Sequence, residues 1–408
     1  MASQMKIFHK WALLLSSLPL VALIFIFYAN SIFFNILSQQ QIFTGKENKA
    51  KENMQYFPTL QEKVDELASL DDGYDSDPTI PPENLTKDER SEWFKQRLPQ
   101  VEILGSTNLT KQFHGRVLEF LSSGCGIQFY MVWFSPAKFF GTRDFLAIDT
   151  LFNSHPQGCL MIISRTMDST RGYRILKPLL DRGFKVLAVT PDLPFLVKNT
   201  PAEAWLEGLK SGKKDPGFIP LPQNLCNLIR LTVLYKYGGV YLDTDIIILR
   251  DFSELRNSIG AQSIDPATKQ WTILNNAVMV FDMNHPILLD FMKEFSLTFN
   301  GNIWGFNGPF LLTRVMKRVG SDYNVTVLQP EAFYPVDWFK IHRHFKKPEI
   351  AAERKWIKSS LNELNGNGGN IYALHLWNKR SKKLKVGEGS VMERLILDHC
   401  VICENIYA

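Results

Sequence analysis

From about Gln112 onward, short apolar runs alternate with amphipathic stretches. Three of the apolar runs are rich in aliphatic, β-branched or aromatic residues, which is typical of strands. The segment between the second and third runs has helical spacing and is followed by Gly183, a helix-ending residue. Strands separated by helices favour a parallel sheet, so the pattern predicts an α/β domain. The predicted strands are Ile127–Phe134, Cys159–Ser164 and Lys185–Thr190, and the predicted helix is Arg171–Asp181.

A second helix is predicted from about Leu225 to Tyr237, where leucine and isoleucine recur at helical spacing and Gly238-Gly239 ends the pattern. The run that follows, 240–249, is apolar except for Asp243, Thr244 and Asp245. We therefore expect a strand that carries two carboxylates separated by one residue and then resumes.

Asp243 and Asp245 are costly to bury in an apolar run unless something positive compensates them. A divalent cation does so, and hard oxygen ligands suit Mn²⁺ or Mg²⁺ held against phosphate oxygens. Carboxylates at the mouth of an α/β sheet would meet a nucleotide diphosphate there, and Gly238-Gly239 would let the backbone pass close to a ligand. A solvated turn or a capped loop is the alternative, but neither needs the aliphatic residues on both sides.

The composition of the chain limits the classes of protein to which it can belong. The chain has 408 residues, is 45% hydrophobic, and carries 46 basic and 41 acidic residues for a net charge of +5. It is long enough for a substantial core. The positive charge is too diffuse to indicate a nucleic-acid partner.

Residues 11–45 contain no charged side chain, and most of Ala12–Leu37 is apolar, enough to cross a bilayer core of about 30 Å. We predict a cytosolic tail at 1–10, a transmembrane signal-anchor at 11–37, a polar stem at 38–110 and a lumenal catalytic domain at 111–408. Lys6 and Lys10 precede the segment, and the positive-inside rule then places the bulk of the chain in the lumen. A cleaved signal peptide is the alternative, although its apolar region is usually shorter.

A lumenal chain also fits three N-glycosylation acceptors and the cysteines. Asn84, Asn108 and Asn324 each stand in an Asn-x-Thr triplet. The five cysteines allow at most two disulfides in an oxidising compartment, and their pairing stays open. Cys400 and Cys403 have the spacing of a redox or zinc motif, but a single such pair favours a structural role. The cysteines are Cys125, Cys159, Cys226, Cys400 and Cys403.

Three ordered segments resemble the α1,4-glycosyltransferase family, in particular its galactosyl- and N-acetylglucosaminyl-transferring branch. The first segment resembles the family's sugar-binding region. Asn275-Asn276-Ala277 also resembles the family, and with it the likeness covers about Ile127–Lys379. The segments are 230–245 (RLTVLYKYGGVYLDTD), 304–315 (WGFNGPFLLTRV) and 375–379 (HLWNK).

The resemblance implies a GT-A type nucleotide-diphospho-sugar transferase fold behind an N-terminal transmembrane helix, in a single-pass type II protein of the Golgi membrane. It implies a UDP-sugar donor, a glycan or glycolipid acceptor, Mn²⁺, and transfer of a hexose with retention. Asp243 would touch the ribose and the metal, Asp245 would chelate the metal, and His375 would be the third protein ligand. A lone histidine is otherwise more often a hydrogen-bonded core residue.

A donor site is implied in the same way. Arg230 would reach the donor's sugar or diphosphate, the alternative being a surface ion pair. Asn276 and the turn at Asn307-Gly308 would line the sugar pocket, the alternative being loop capping. Trp133 and Ser135 would hold the nucleotide, unless Trp133 belongs to the core. The predicted donor-binding residues are Trp133, Ser135, Asn227, Arg230, Tyr241, Asn276 and Gly308, and Asn307 is a predicted catalytic residue with Asp243 and Asp245.

One position departs from the family. Relatives commonly carry Ser-Asp where this chain has Cys226-Asn227. Asn227 lies one helical turn before Arg230, so the lost carboxylate bears on donor identity and activity. No carboxylate nucleophile is evident, which favours front-face displacement; Asp282 is a candidate, but an aspartate there is more often a helix cap.

Two other classes of protein remain as alternatives. A phosphatase of the haloacid dehalogenase type also has a strand that ends in Asp-x-Asp, but that strand normally opens the domain, whereas at least three predicted strands precede this one. The second alternative is a Golgi glycan-binding or scaffolding protein that keeps a transferase fold without turnover.

Overall fold

The computed structural model describes residues 81–82, 84–365, 370–404 and 406–407. The predicted cytosolic tail, the transmembrane segment and most of the predicted stem lie outside these residues. Within the described ranges, no helix is both long enough and apolar enough to span a membrane.

A seven-stranded sheet organises the described part of the chain, with a separate two-stranded sheet formed by β5 and β9. The strand order in the large sheet is β3-β2-β1-β4-β7-β6-β8. The strands are β1 Gln128–Val132, β2 Cys159–Ile163, β3 Lys185–Val189, β4 Gly239–Leu242, β5 Ile246–Ile248, β6 Ser258–Ile264, β7 Trp271–Phe281, β8 Thr326–Leu328 and β9 Ala373–His375.

The predicted α/β class is confirmed, and strands β3, β2, β1 and β4 are parallel as expected. The other half of the sheet differs, because β7 runs antiparallel to both β4 and β6. The sheet is therefore mixed. Residues 258–281 form a hairpin whose two strands follow each other without a helix, which is the connection that antiparallel strands permit.

Helices cover both faces of the large sheet. The predicted helices are present, and the second begins earlier than expected, at Leu221. The helices are α1 Lys87–Arg97, α2 Phe113–Leu121, α3 Thr142–Ser154, α4 Thr170–Leu180, α5 Leu193–Val197, α6 Glu203–Lys210, α7 Leu221–Tyr237, α8 Pro286–Thr298, α9 Pro309–Val319, α10 Ile341–His344, α11 Ala351–Leu364, α12 Asn378–Ser381 and α13 Val391–His399.

The side chains of β1 point alternately to the two faces of the sheet, where they join two separate layers of the core. Phe129 and Met131 join a cluster with residues of α3 and α4, whereas Tyr130 and Val132 join a cluster with residues of α7 and α8. Successive side chains of a strand point to opposite faces, so a strand buried on both faces is apolar throughout. This is why the β1 and β2 segments read as continuous apolar runs.

The Asp-x-Asp segment separates the two sheets. The predicted strand through this segment ends at Leu242, and the chain resumes as β5, which pairs with β9 instead of continuing in the large sheet. Gly238 and Gly239 both have positive φ, and a Cβ at Gly239 would lie 2.5 Å from the carbonyl oxygen of Gln128. The glycines therefore allow a close approach to the protein's own backbone. The predicted approach to a ligand stays a prediction.

Part of the segment assigned to the stem packs against the core. Helix α1 lies within residues 38–110, and Phe94 on this helix is buried in the same cluster as α7. Arg90 is 1% exposed and forms a two-pronged hydrogen bond with Asp215 at 3.0 and 2.7 Å. The packed unit therefore includes residues upstream of 111.

The cysteine pairing left open by the sequence is resolved. Disulfides join Cys125 to Cys159 and Cys400 to Cys403, and Cys226 is a free thiol. The buried carboxylate of Asp149 accepts backbone N–H bonds from residues 401, 402 and 403. The C-terminal disulfide loop is thereby fastened to helix α3.

We expect Asp215→Ala to lower the free energy of unfolding by about 3 kcal/mol, because it leaves the guanidinium of Arg90 buried without its partner. Urea unfolding followed by circular dichroism measures the change. Asp181→Ala is the matched control, since Asp181 pairs with Lys177 in an exposed ion pair, and we expect a loss below about 0.5 kcal/mol. Equal losses in the two variants would show that Arg90 does not depend on Asp215.

Candidate active site

Two aspartates and a histidine meet where β4, β5 and β9 come together. One ligand atom from each of Asp243, Asp245 and His375 lies within 4.8 Å of the others. The pairing of Ile246 with His375 in the two-stranded sheet places the histidine beside Asp245. The family resemblance implied that these three residues bind one metal ion, and the structure brings them together.

Asp243 is held by Arg230, in the middle of helix α7, and by Tyr241 of the preceding strand β4. Nη2 of Arg230 lies 3.1 Å from Oδ1 of Asp243, and the hydroxyl of Tyr241 donates to the same oxygen at 2.9 Å. Burial raises the pKa of Asp243 above its ordinary value, against the opposing effect of Arg230, and the neighbouring Asp245 raises it further. A second positive charge at the site would favour the ionised form.

Asp245 has a different environment. Its Oδ1 lies 3.2 Å from Nε2 of His375, and its Oδ2 accepts the backbone N–H of Asn378 at 2.9 Å. Burial acts to raise the pKa of this carboxyl, but His375 and the hydrogen bonds outweigh burial, so the pKa lies below the ordinary value. Of the two aspartates, Asp245 is therefore the one whose carboxylate stays ionised more readily.

The three residues fit a divalent cation. Two carboxylate oxygens and one imidazole nitrogen form a donor set that suits Mn²⁺ or Mg²⁺ together with phosphate oxygens. Nδ1 of His375 is buried and has no hydrogen-bond partner among the described residues, and the two carboxylates repel each other without a cation between them. Asp243, Asp245 and His375 can thus hold one metal ion.

Buried carboxamide side chains pack together against Gly308, in a group that we call the carboxamide pocket. Nδ2 of Asn276 donates to Oδ1 of Asn227 at 2.9 Å, and Nδ2 of Asn307 donates to Oδ1 of Asn224 at 2.8 Å. A Cβ at position 308 would lie 2.8 Å from the Asn227 oxygen and 3.0 Å from the Asn276 nitrogen. Only glycine leaves these amides where they are.

Arg230 joins the metal-ligand cluster to the carboxamide pocket. Its guanidinium contacts Asp243 through one nitrogen and donates to the backbone carbonyl of Asn276 through another. It also lies over the ring of Tyr241, 4.4 Å from the ring centroid. Arg230 is 2% exposed and Asp243 is partly exposed, so their ion pair is partly buried and is not the surface pair that was the alternative.

Unpaired buried atoms surround this arrangement. Nδ2 of Asn224, Oδ1 of Asn378 and Nε1 of Trp133 are buried and have no hydrogen-bond partner within the described residues. Buried polar groups normally have partners, and exceptions point to a missing water, ion or ligand. Asn224 and Asn378 border the pocket and the metal-ligand cluster, so a polar ligand there would satisfy both.

Two further predicted donor-binding residues follow β1, the strand that pairs in parallel with β4. Trp133 is 8% exposed and packs edge-on against Phe140 in the core, and Ser135 is exposed on the following loop. Their predicted part in nucleotide binding stays a prediction.

Asp282 does not cap helix α8, and it lies at the opposite end of β4 from Asp243. Its carboxylate binds Arg256 at 2.8 Å and Asn257 at 3.0 Å on the surface, and the N-cap of α8 is His285. The three glycosylation acceptors are exposed, as glycan attachment requires: Asn84, Asn108 and Asn324.

Several residues at the site were not predicted from the sequence. Tyr334 packs edge-on against His375, with ring centroids 5.8 Å apart, and Trp377 packs on the same ring at 4.0 Å. Asp144, near the start of helix α3, is buried close to Asp245, and burial raises its pKa to about 6. Only Trp377 had a signal, since it lies inside the HLWNK segment.

Two family models match the chain over the regions that build this site. Residues 141–264 match the glycosyltransferase sugar-binding region containing DXD motif, and residues 280–407 match the alpha 1,4-glycosyltransferase conserved region. The first match contains both aspartates and the second contains Asn307 and His375.

Individual relatives agree with these matches. The chain is 34% identical over 200 residues to the lactosylceramide 4-alpha-galactosyltransferase of Pongo pygmaeus, covering 47% of this chain and 82% of that protein. It is 27% identical to the human alpha-1,4-N-acetylglucosaminyltransferase, covering 51% of this chain and 58% of that protein. It is 30% identical to an uncharacterized protein of Arabidopsis thaliana, covering 70% of this chain but only 44% of that protein. For the human and Arabidopsis proteins, the chain thus spans less than two thirds of the relative's length.

We expect Gly308→Ala to lower the free energy of unfolding by about 1–3 kcal/mol, because the added methyl group displaces the Asn227–Asn276 amide pair. Thermal and urea unfolding measure the loss. Gly115→Ala is the control: this glycine lies within helix α2 and a Cβ there meets no atom within 4 Å, so alanine should stabilise the protein by up to about 1 kcal/mol. Unchanged stability in Gly308→Ala would mean that the pocket has room the structure does not show.

Proposed function

Because the chain belongs to the α1,4-glycosyltransferase family, we propose that it is a hexosyltransferase that moves galactose or N-acetylglucosamine from a UDP-sugar to a hydroxyl of a glycan or glycolipid. One observation carries the proposal: Arg230 links an Asp-Asp-His cluster of metal-ligand type to a pocket of carboxamides. The names of the relatives, which include a galactosyltransferase and an N-acetylglucosaminyltransferase, support the choice of sugar.

The metal-ligand cluster would hold Mn²⁺, with Mg²⁺ as the alternative, through Asp243, Asp245 and His375. The bound ion would neutralise the donor's phosphates and stabilise the departing nucleotide diphosphate. Arg230 and Tyr241 act on Asp243: the ion pair and the hydroxyl favour the ionised form of that carboxylate and fix its orientation. Arg230 is thus proposed as a positioning residue rather than a direct contact of the sugar.

The carboxamide pocket would hold the donor sugar. Each asparagine offers both donors and acceptors, which suits the hydroxyl groups of a neutral hexose. Asn224 and Asn307 join the pocket through their mutual hydrogen bond, and the unpaired Nδ2 of Asn224 is available to a sugar oxygen. Asn227, in place of the aspartate common in relatives, keeps this pocket uncharged.

We propose retention by front-face displacement. The bond from the anomeric carbon to the diphosphate oxygen breaks, the acceptor oxygen bonds to that carbon on the same face, and the hydroxyl proton passes to the leaving diphosphate. The transition state is oxocarbenium-like, so alignment and stabilisation of the leaving group supply most of the rate. Asp282, the one nucleophile candidate from the sequence, is tied to Arg256 at the surface, which supports a route without a covalent enzyme intermediate.

The setting proposed for this activity is the Golgi lumen, with the chain anchored as a single-pass type II protein and the catalytic domain in a GT-A type fold. Two disulfides and three exposed glycosylation acceptors suit an oxidising, lumenal compartment. The second candidate function is a Golgi glycan-binding or scaffolding protein. It is favoured by one observation, the carboxamide at position 227 where relatives commonly carry a carboxylate.

We expect the purified full chain to hydrolyse one member of a panel of UDP- and GDP-sugars in the presence of Mn²⁺ and not in EDTA. Asp245→Ala should reduce the rate by at least about a hundredfold, because it removes a metal ligand at the leaving group. Asp265→Ala, in an exposed turn, is the control and should retain full activity. Absence of turnover together with absence of Mn²⁺-dependent nucleotide binding would favour the scaffold.

We also expect His375→Ala to weaken Mn²⁺ binding by at least about tenfold, since it leaves only two protein ligands. Isothermal titration of the UDP-bound protein with Mn²⁺, and then with Mg²⁺, measures the affinities and identifies the preferred ion. His342→Ala removes an exposed histidine on α10 and should bind the ion as the unaltered protein does. Equal affinity in both variants would remove His375 from the ligand set.

A further inference from the structure

Two consecutive cations lie on aromatic rings beside the candidate active site. Nζ of Lys379 is 4.4 Å from the centroid of the Trp304 ring. Cζ of Arg380 is 4.3 Å from the centroid of the Trp338 ring and 5.6 Å from that of Phe339. Three separate segments of the chain thus form one continuous surface, which we call the aromatic-basic rim.

The rim borders both halves of the site. Trp304 precedes Asn307 and Gly308 of the carboxamide pocket in the same loop. On the other side, Lys379 and Arg380 directly follow Asn378, whose backbone N–H binds Asp245. The contact between Lys379 and Trp304 therefore connects the loop of the sugar pocket to the segment that holds the metal ligands.

An unusual backbone conformation places the two cations there. Trp377 has a left-handed backbone with φ of 53°, which is rare for a bulky residue and often marks a functional site. Its indole N–H donates to the carbonyl of Val336 at 2.8 Å, and its ring packs on His375. The turn at Trp377 lets the amide of Asn378 point to Asp245 while the next two residues reach the surface.

Lys379 and Arg380 of the rim form no ion pair with a residue that the structure describes. The segment 379–385 holds five basic residues and no acidic one. Among the described residues, no carboxylate lies within 4.0 Å of Lys379 or Arg380. Desolvation and the adjacent Arg380 lower the pKa of Lys379, so a negative partner would be favourable. Trp304 and Phe339 remain 48% and 62% exposed.

We propose that the aromatic-basic rim is the acceptor subsite and that it selects a saccharide carrying a negatively charged group: a phosphate, a sulfate or a carboxylate. This rests on the proposed transferase function. The exposed faces of Trp304 and Phe339 suit the apolar faces of sugar rings, as aromatic side chains do in pockets for small molecules. Lys379 and Arg380 between them supply charge-assisted hydrogen bonds to an anionic substituent.

The test compares transfer with donor hydrolysis, which needs no acceptor, in the full chain. Transfer is measured to methyl glycosides in matched neutral, phosphorylated, sulfated and uronic-acid forms, and binding of the same glycosides is titrated with UDP and Mn²⁺ present. We expect the unaltered protein to prefer one of the anionic forms to its neutral counterpart. In Lys379→Ala with Arg380→Ala, kcat/KM for that form should fall by about tenfold or more, since charge-assisted bonds are lost. Hydrolysis and the use of neutral acceptors should stay within about twofold of the unaltered protein.

Trp304→Ala should weaken the binding of both neutral and anionic acceptors and leave donor hydrolysis unchanged, because it removes the ring and not the charge. Arg97→Ala is the matched control, since Arg97 stacks on Trp93 on helix α1, and it should change neither assay.

A parallel loss of hydrolysis in the double variant would assign the cations to the donor's diphosphate and overturn the proposal. So would equal use and equal binding of anionic and neutral glycosides by the unaltered protein. Absence of hydrolysis in the unaltered protein would instead count against the transferase function, so the two failures are distinguishable.

Discussion

The arrangement of the site depends on one ion pair, that of the buried Arg230 with the partly exposed Asp243. A guanidinium and a carboxylate are expensive to remove from water, and their attraction repays this cost only when further hydrogen bonds satisfy both groups. Here the hydroxyl of Tyr241 donates a hydrogen bond to the carboxylate, and the guanidinium donates one to the backbone carbonyl of Asn276. The pair thus ties helix α7 to strands β4 and β7, and those three elements carry the carboxamides and the first metal ligand.

The break in the strand at Asp243 to Asp245 is the second constraint. If the strand had continued straight, both aspartates would have pointed to the same face of one sheet, with no histidine beside them. Instead the chain leaves the large sheet, and β5 pairs with β9. Asp245 consequently receives His375 and the amide of Asn378, whereas Asp243 keeps Arg230. Both carboxylates thus face positive or hydrogen-bond-donating groups. Burial outweighs Arg230 at Asp243 but is outweighed by His375 and the amide at Asp245, so the two pKa values shift in opposite directions.

Much of this was predictable from local patterns, and the rest depended on contacts between distant parts of the chain. Strands β1 to β3 and helix α7 follow from apolar spacing, because burial on both faces or on one stripe leaves a direct mark on the sequence. The antiparallel direction of β7, the pairing of β5 with β9 and the amide contact between Asn227 and Asn276 leave no such mark. His375 entered only through the family resemblance, and Tyr334 and Asn224 have no signal that distinguishes them from core residues.

The pairing of β5 with β9 also bears on how the protein is made. More than a hundred residues separate Asp245 from His375, and chains are synthesised from the N-terminus at about 5–20 residues per second. All strands of the large sheet have been synthesised by residue 328, before β9 is made. The metal-ligand cluster forms later, because its histidine lies on β9. A nascent or prematurely terminated chain that ends before β9 would contain both aspartates but lack His375, so ion binding would report that synthesis had passed this residue.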